Sequence, residues 1–236
     1  LQRIAALNLG TLAWFAGRGR GHCDIGCSNA RHAQQVEHKS LSGAADGSSA
    51  FVPPDGMQLP RGLRVMVFAP HPDDESLGAG GLLQLIAASR GTSRVVFVTS
   101  GDGFVEGARR YFGRSFLVPD DFIDYGRLRC REALDAMKSL GIGRVGIDFL
   151  GFPDTGIEAL WSAHRTEHPY VSPHTCMDHP PYPDCLNREC RYTGSSLNRM
   201  ISDVITGFSP HWVVLPDPKA PTIIALTSSR LAGSSL

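Results

Sequence analysis

The stretch "FAPHPDDESLGAGG", residues 68–81, places a histidine and three acidic side chains within five positions, directly after an apolar run and directly before a glycine-rich one. Three neighbouring carboxylates repel one another, so the arrangement costs free energy unless a cation, a buried proton or water relieves it. A bound metal ion is the simplest relief. His71 and Asp74 can bind a divalent ion through imidazole nitrogen and carboxylate oxygen, while Asp73, pointing elsewhere in the same loop, can take a proton from water held by the metal. The competing reading is a turn capped by histidine, its acids solvated at a helix N-terminus, where negative charge is favourable in any case.

The surrounding text decides the fold. "LRVMVFA" (63–69) is a short β-branched run of the kind buried in a parallel sheet, and "GAGGLLQLIAAS" (78–89) follows with the spacing of a helix. "RVVFVTS" (94–100) reads as the next strand. A long helix is then expected over residues 120–140, with Phe122, Leu128, Ala133, Leu134, Met137 and Leu140 on its apolar face and Gly141 as its stop. After it come a strand in "RVGIDFLG" (144–151), a loop to about Thr193, a helix in "GSSLNRMISDVITGF" and a strand in "HWVVLP". Such alternation predicts an α/β fold, a Rossmann-like three-layer sandwich with a mostly parallel sheet covered on both faces. In sheets of this kind ligands bind beyond the carboxyl ends of the strands, and "PHPDDE" leaves the carboxyl end of the first.

At 236 residues, 42% hydrophobic, the chain can build one sizeable core. Lys plus Arg equal Asp plus Glu at 23 each, so no summed field draws it to nucleic acid or an anionic membrane, and a small neutral or mixed-charge substrate fits better. Residues 1–62 read as an amino-terminal extension and linker, 63–218 as the folded domain and 219–236 as an atypical tail. The apolar part of "LQRIAALNLGTLAWFAG" is too short for a membrane span, which needs about 20 residues. It reads either as an unstructured extension or as the core of a signal peptide. The six cysteines contain no CxxC pair. Cys176, Cys185 and Cys190, with His174 and His179, allow a zinc-loop reading, but scattered reduced thiols, and with them a cytoplasmic rather than secreted protein, suit the spacing better.

The strand, the H-P-D-D-E signature and the glycine-rich helix start resemble the PIG-L/LmbE-like de-N-acetylases, which include N-acetylglucosaminyl-phosphatidylinositol and mycothiol-type deacetylases. "VTSGDG" (98–103), "RCREALDAMKSLG" with Arg129, Glu132, Ala136, Leu140 and Gly141, "FLGFPDTG" (149–156), "YTGSSL" (192–197) and "VVLPDP" (213–218) continue the resemblance in the family's order. It implies a zinc-dependent (Zn2+) hydrolase that removes the acetyl group from an N-acetylated amino sugar or glycoside. By the same resemblance His71 and Asp74 are zinc ligands, Asp73 is the base that activates a zinc-bound water, and Asp154 lies near the sugar pocket. Arg129 and Glu132, three apart on one helical face, are expected to form an internal ion pair.

The departure lies beyond "VVLPDP". The family continues with H-x-D-H, whose last histidine is the third zinc ligand, whereas here "KAPTIIALTSSRLAGSSL" follows, without a histidine or an acid. That text reads as a truncated or frame-disrupted carboxyl end. Two alternatives therefore stand beside the enzyme: a catalytically impaired remnant lacking the third zinc ligand, and a non-catalytic Rossmann-like domain that binds a nucleotide or a sugar.

Overall fold

The computed structural model of the chain describes residues 59–143, 146–216 and 223–227, the last for their backbone. Residues 1–58 of the expected extension 1–62, with its signal-peptide reading, and most of the tail lie outside the described residues. Among the described residues ten elements follow one another: β1 (Arg64–Ala69), α1 (Asp74–Ala88), β2 (Thr92–Thr99), α2 (Val105–Phe112), α3 (Pro119–Ser139), β3 (Ile147–Phe152), α4 (Ile157–Ser162), α5 (Gly194–Phe208), β4 (Trp212–Pro216) and β5 (Ile223–Thr227). Every strand and long helix expected from the sequence is present within a few residues. Two short helices, α2 and α4, were not expected, nor was β5 within the tail.

The sheet order is β3-β2-β1-β4-β5. β1 to β4 are mutually parallel, and β5 runs antiparallel to β4. From β1 the chain moves outward to β2 and β3 and then returns to the other side of β1 for β4. The direction of winding therefore reverses beside β1, and the crevice at such a reversal is the usual ligand site of an open α/β sheet.

Strand periodicity builds the two cores. Val65, Val67 and Ala69 face one side of the sheet, with Val95, Phe97, Ile147 and Phe149, against Leu83 and Ile86 of α1 and Ala133 and Met137 of α3. Met66 and Phe68 face the other side, with Val96, Val98, Leu150 and Phe152, against Leu197, Ile201 and Val204 of α5. Helices that follow strands wound in opposite directions thus cover opposite faces, as right-handed crossovers require. Cys185 belongs to the first core and Cys190 to the second, so the sheet separates two thiols that a zinc loop would have to bring together.

Local chemistry sets the element ends. α3 begins with Pro119 in its first turn and with the Val118 N–H donating to Asp121 Oδ2 at 2.8 Å. It ends at the expected glycine: Gly141 has φ 81°, its N–H donates to the Lys138 carbonyl, and the Ile142 N–H donates to that of Met137. This pair of bonds satisfies carbonyls that the helix leaves unpaired. α5 is capped by Thr193, whose Oγ1 accepts the Ser196 N–H at 3.2 Å. Between α4 and α5 a long loop lies along β3: Cys185 bridges Phe149, the Leu186 N–H donates to the Phe149 carbonyl, and the Tyr192 hydroxyl donates to that of Gly151. Among the described residues no helix is long and apolar enough to cross a membrane.

Phe97 is fully buried and stacks on Phe149 across β2 and β3, their ring centroids 4.9 Å apart. Phe97→Ala is expected to cost about 3–5 kcal/mol through lost burial and the cavity left behind. Urea midpoints of the two proteins measure it; a loss under 1 kcal/mol would contradict the packing described.

Candidate active site

The β1 strand ends at Ala69, and within five residues the chain becomes α1. The helix starts at Asp74, four residues before the glycine-rich text, so Asp74 and Glu75 occupy its first turn, where unpaired N–H groups and the helix dipole favour acids. Asp73 is the residue before the helix; its carbonyl accepts the N–H groups of Ser76 and Leu77, both at 3.0 Å. Its backbone sits at φ 144°, ψ −30°, a conformation that costs an L-residue on the order of 1–3 kcal/mol.

That conformation is held from two sides. Glu75, buried, accepts the Asp73 N–H on Oε2 at 2.9 Å and the Ser76 hydroxyl on Oε1 at 2.6 Å. Arg129 of α3 reaches across to donate to Asp73 Oδ2 at 2.9 Å and to the carbonyls of Pro72 and Gly101. Gly101 has φ 65°, and a Cβ there would collide with the guanidinium, so the β2 exit must carry glycine for Arg129 to pass. The expected pair of Arg129 with Glu132 does not form, and Glu132 is exposed. A tertiary partner on the acidic loop has displaced the local one.

Each of the expected site residues except Asp73 meets His71. Its Nδ1 lies 3.2 Å from Asp74 Oδ2, and its Nε2 lies 3.1 Å from Asp154 Oδ1. The His71 N–H donates to the same Asp74 oxygen at 2.9 Å, which closes the loop on itself. Burial opposes a charge on the imidazole, but the carboxylates of Asp154 and then Asp74 outweigh it and push His71 up to about 10. Asp73 points away from this group and leaves about half its side chain exposed. Burial raises its carboxyl above the usual range, partly offset by the Arg129 charge.

Asp154, at the end of β3, is buried and well supplied with donors. Its Oδ1 also accepts the Thr155 N–H at 2.8 Å, and its Oδ2 accepts the Gly103 N–H at 3.1 Å. Behind it lies Asp102, which no sequence signal had singled out, accepting the Asp154 N–H at 3.3 Å on Oδ1 and the Tyr182 hydroxyl on Oδ2. Tyr182 comes from the long loop and is itself buried.

The donor set meets the needs of a metal ion in part. Ligands about 2.0–2.1 Å from a tetrahedral zinc lie roughly 3.3 Å from one another, so the 3.2 Å between His71 Nδ1 and Asp74 Oδ2 fits two corners of such a site. Among the described residues no group of three His, Cys, Asp or Glu is gathered to complete it. His174 is half-buried, with its ring 4.9 Å from that of Phe122, and His179 pairs with Asp178 at 2.8 Å. His211 is bonded to the backbone of Arg64, at the opposite end of β1 from the site.

Burial, and after it the charge of Asp154, pushes the Asp102 carboxyl up to about 7. A carboxyl raised in the folded chain contributes stability that is fully present below its unfolded pKa of about 4 and is lost as pH rises through its folded value. Relative to Asp102→Asn, which has no carboxyl to ionise, the native chain should therefore lose about 1.4 kcal/mol for each pH unit between pH 4 and 7. Parallel urea titrations of the two proteins across that window check this, and a constant difference would contradict it.

Similarity to known proteins bears on the same residues. The family model described as GlcNAc-PI de-N-acetylase, PIG-L, matches residues 66–223, from within β1 to the first residue of β5. No curated protein sequence matches the chain. Among solved structures, GalB, the 4-carboxy-2-hydroxymuconate hydratase from Pseudomonas putida KT2440, is similar over 64% of this chain at 16% identity, with a TM-score of 0.40. The match covers 45% of the hydratase, so this chain spans less than half of that protein's length. With about two-thirds of its residues inside the family model, and the loop of His71, Asp73 and Asp74 at its first strand, the chain belongs to the PIG-L family of GlcNAc-PI de-N-acetylases.

Proposed function

We propose that the chain is a zinc-dependent hydrolase that removes the acetyl group from an N-acetylated amino sugar or glycoside, releasing the free amine and acetate. The observation that carries this reading is the 3.2 Å pair of His71 Nδ1 and Asp74 Oδ2 at the end of β1, with the exposed carboxylate of Asp73 beside it. His71 and Asp74 would hold the ion. When bound, zinc supplies a Lewis acid for the acetamide carbonyl and lowers the pKa of water toward 7.

The chain's own residues then divide the work. Asp73 accepts a proton as water attacks the carbonyl carbon, and can return it to the departing nitrogen. Arg129, bonded to Asp73 and to two carbonyls of the loops around it, keeps that carboxylate aimed away from His71. Asp154 stands at the rim of β3, where the family resemblance puts the sugar pocket. The folded unit that does this is residues 63–218, a single domain acting on a small molecule.

A second reading is favoured by one observation, the lack of a third ligand in the gathered group among the described residues. In that reading the chain is an impaired relative that binds zinc weakly. Zinc stoichiometry and acetate release from an N-acetylglucosaminide separate the two. About one tightly held zinc per chain with turnover supports the enzyme; weak zinc and no turnover, both restored by grafting an H-x-D-H segment after Pro218, support the impaired form.

Substitutions test the assignments. His71→Ala and Asp74→Ala should each abolish zinc binding, while Glu75→Ala should reduce it much less. Asp73→Asn should keep the metal and lower turnover by about 100-fold or more, the usual worth of a general base. Equal zinc loss in all three alanine variants, or unchanged turnover without the Asp73 carboxylate, would refute the roles given.

A further inference from the structure

We propose that Asp154 is a positioning residue that acts through His71: its carboxylate holds the Nε2 nitrogen as a proton donor and so commits Nδ1, on the Asp74 side, to a divalent cation. The inference rests on the metal-binding reading above and departs from it in one respect, because Asp154 serves the imidazole rather than a sugar hydroxyl.

The hydrogen-bond count makes the case. Oδ1 of Asp154 accepts the Thr155 N–H at 2.8 Å and faces His71 Nε2 at 3.1 Å, while Oδ2 accepts the Gly103 N–H at 3.1 Å. A carboxylate so placed is an acceptor only, and the nitrogen facing it must carry the hydrogen. Nδ1 faces the Asp74 carboxylate in the same way, so without a cation the ring carries a hydrogen on both nitrogens. Asp154 keeps the one on Nε2, while a cation that takes the Asp74 oxygen replaces the one on Nδ1. That nitrogen stands 3.2 Å from Asp74 Oδ2, at the separation two zinc ligands require. Histidine ligands are commonly oriented in this way, by a carboxylate on the nitrogen that does not touch the metal.

The backbone is shaped to hold this carboxylate in place. Thr155 adopts φ 65°, a left-handed conformation unfavourable for a β-branched residue, and in it donates to Asp154. A Cβ on Gly103 would lie 3.1 Å from the Asp154 carboxyl carbon, so a side chain there would press the carboxylate back by a few tenths of an ångström. The Asp154 N–H is tied in turn to Asp102. Two strand-end loops, after β2 and after β3, thus converge on one side chain whose remaining hydrogen-bond partner is His71. With both oxygens engaged and the residue buried, little of it is left to meet a substrate hydroxyl.

Asp154→Asn tests the proposal, because either orientation of the amide sets its NH2 against an N–H donor, Gly103 on one oxygen or Thr155 and His71 on the other. The full chain, labelled with 15N-histidine, is compared with the variant, and His71→Ala identifies the His71 signals. The native protein should show a downfield, slowly exchanging Nε2–H on His71, which the variant loses. Zinc affinity, read by competition with a chromogenic chelator, should fall about 10 to 100-fold in the variant.

An unchanged zinc affinity in Asp154→Asn, with a raised KM for an N-acetylglucosaminide, would overturn the proposal in favour of sugar contact. Should the variant not fold, the native chain still decides: a zinc-loaded protein with its hydrogen on Nδ1 of His71 refutes the clamp, and Nε2–H supports it. A native chain that binds no zinc at all counts against the proposed activity; the clamp is then read from the metal-free protein, where an Nε2–H that exchanges no more slowly than the Nδ1–H of the same ring would refute it.

Discussion

Three consecutive carboxylates cannot share one environment, and the loop after β1 gives each its own. Asp73 goes outward to the guanidinium of Arg129, Asp74 turns back to His71, and Glu75 is buried against the Asp73 N–H and the Ser76 hydroxyl. Their mutual repulsion becomes a means of pointing them apart. The rest of the site follows from that division: α3 must run close enough for Arg129 to reach, the β2 exit must be glycine at 101, and β3 must end where Asp154 can meet the far side of the His71 ring.

Much of this frame was legible in the sequence because it depends on local periodicity. Runs such as "RVMVFA" and "RVVFVT" announce buried strands, and Pro119 and Gly141 bracket a helix by their backbone preferences alone. α2 and α4 escaped because they are short, eight and six residues, too few for an apolar stripe to repeat. β5, "IIALT", is apolar enough for a strand but falls in text read as an atypical tail because it departs from the family's pattern; it pairs antiparallel with β4.

The candidate site divides along the same line. His71, Asp73 and Asp74 are neighbours in sequence, so their proximity was readable from the motif. Asp154 is 83 residues from His71, and only the resemblance to a family placed it nearby. Asp102 and Tyr182, 80 residues apart, carried no signal, since nothing in either segment reports a bond made across the sheet's end. Arg129 shows the opposite error. A partner three residues away was the obvious reading, but a pairing on an exposed helical surface is worth a few tenths of a kcal/mol, less than the loop's need for a cation beside Asp73.

The backbone of Asp73 carries a cost. At φ 144° the position favours glycine, which would relieve the strain at no steric cost. Selection for stability alone would therefore remove the side chain. A carboxylate held in such a conformation by a buried glutamate and an arginine from another helix costs the chain stability, a cost that the role proposed for Asp73 would account for.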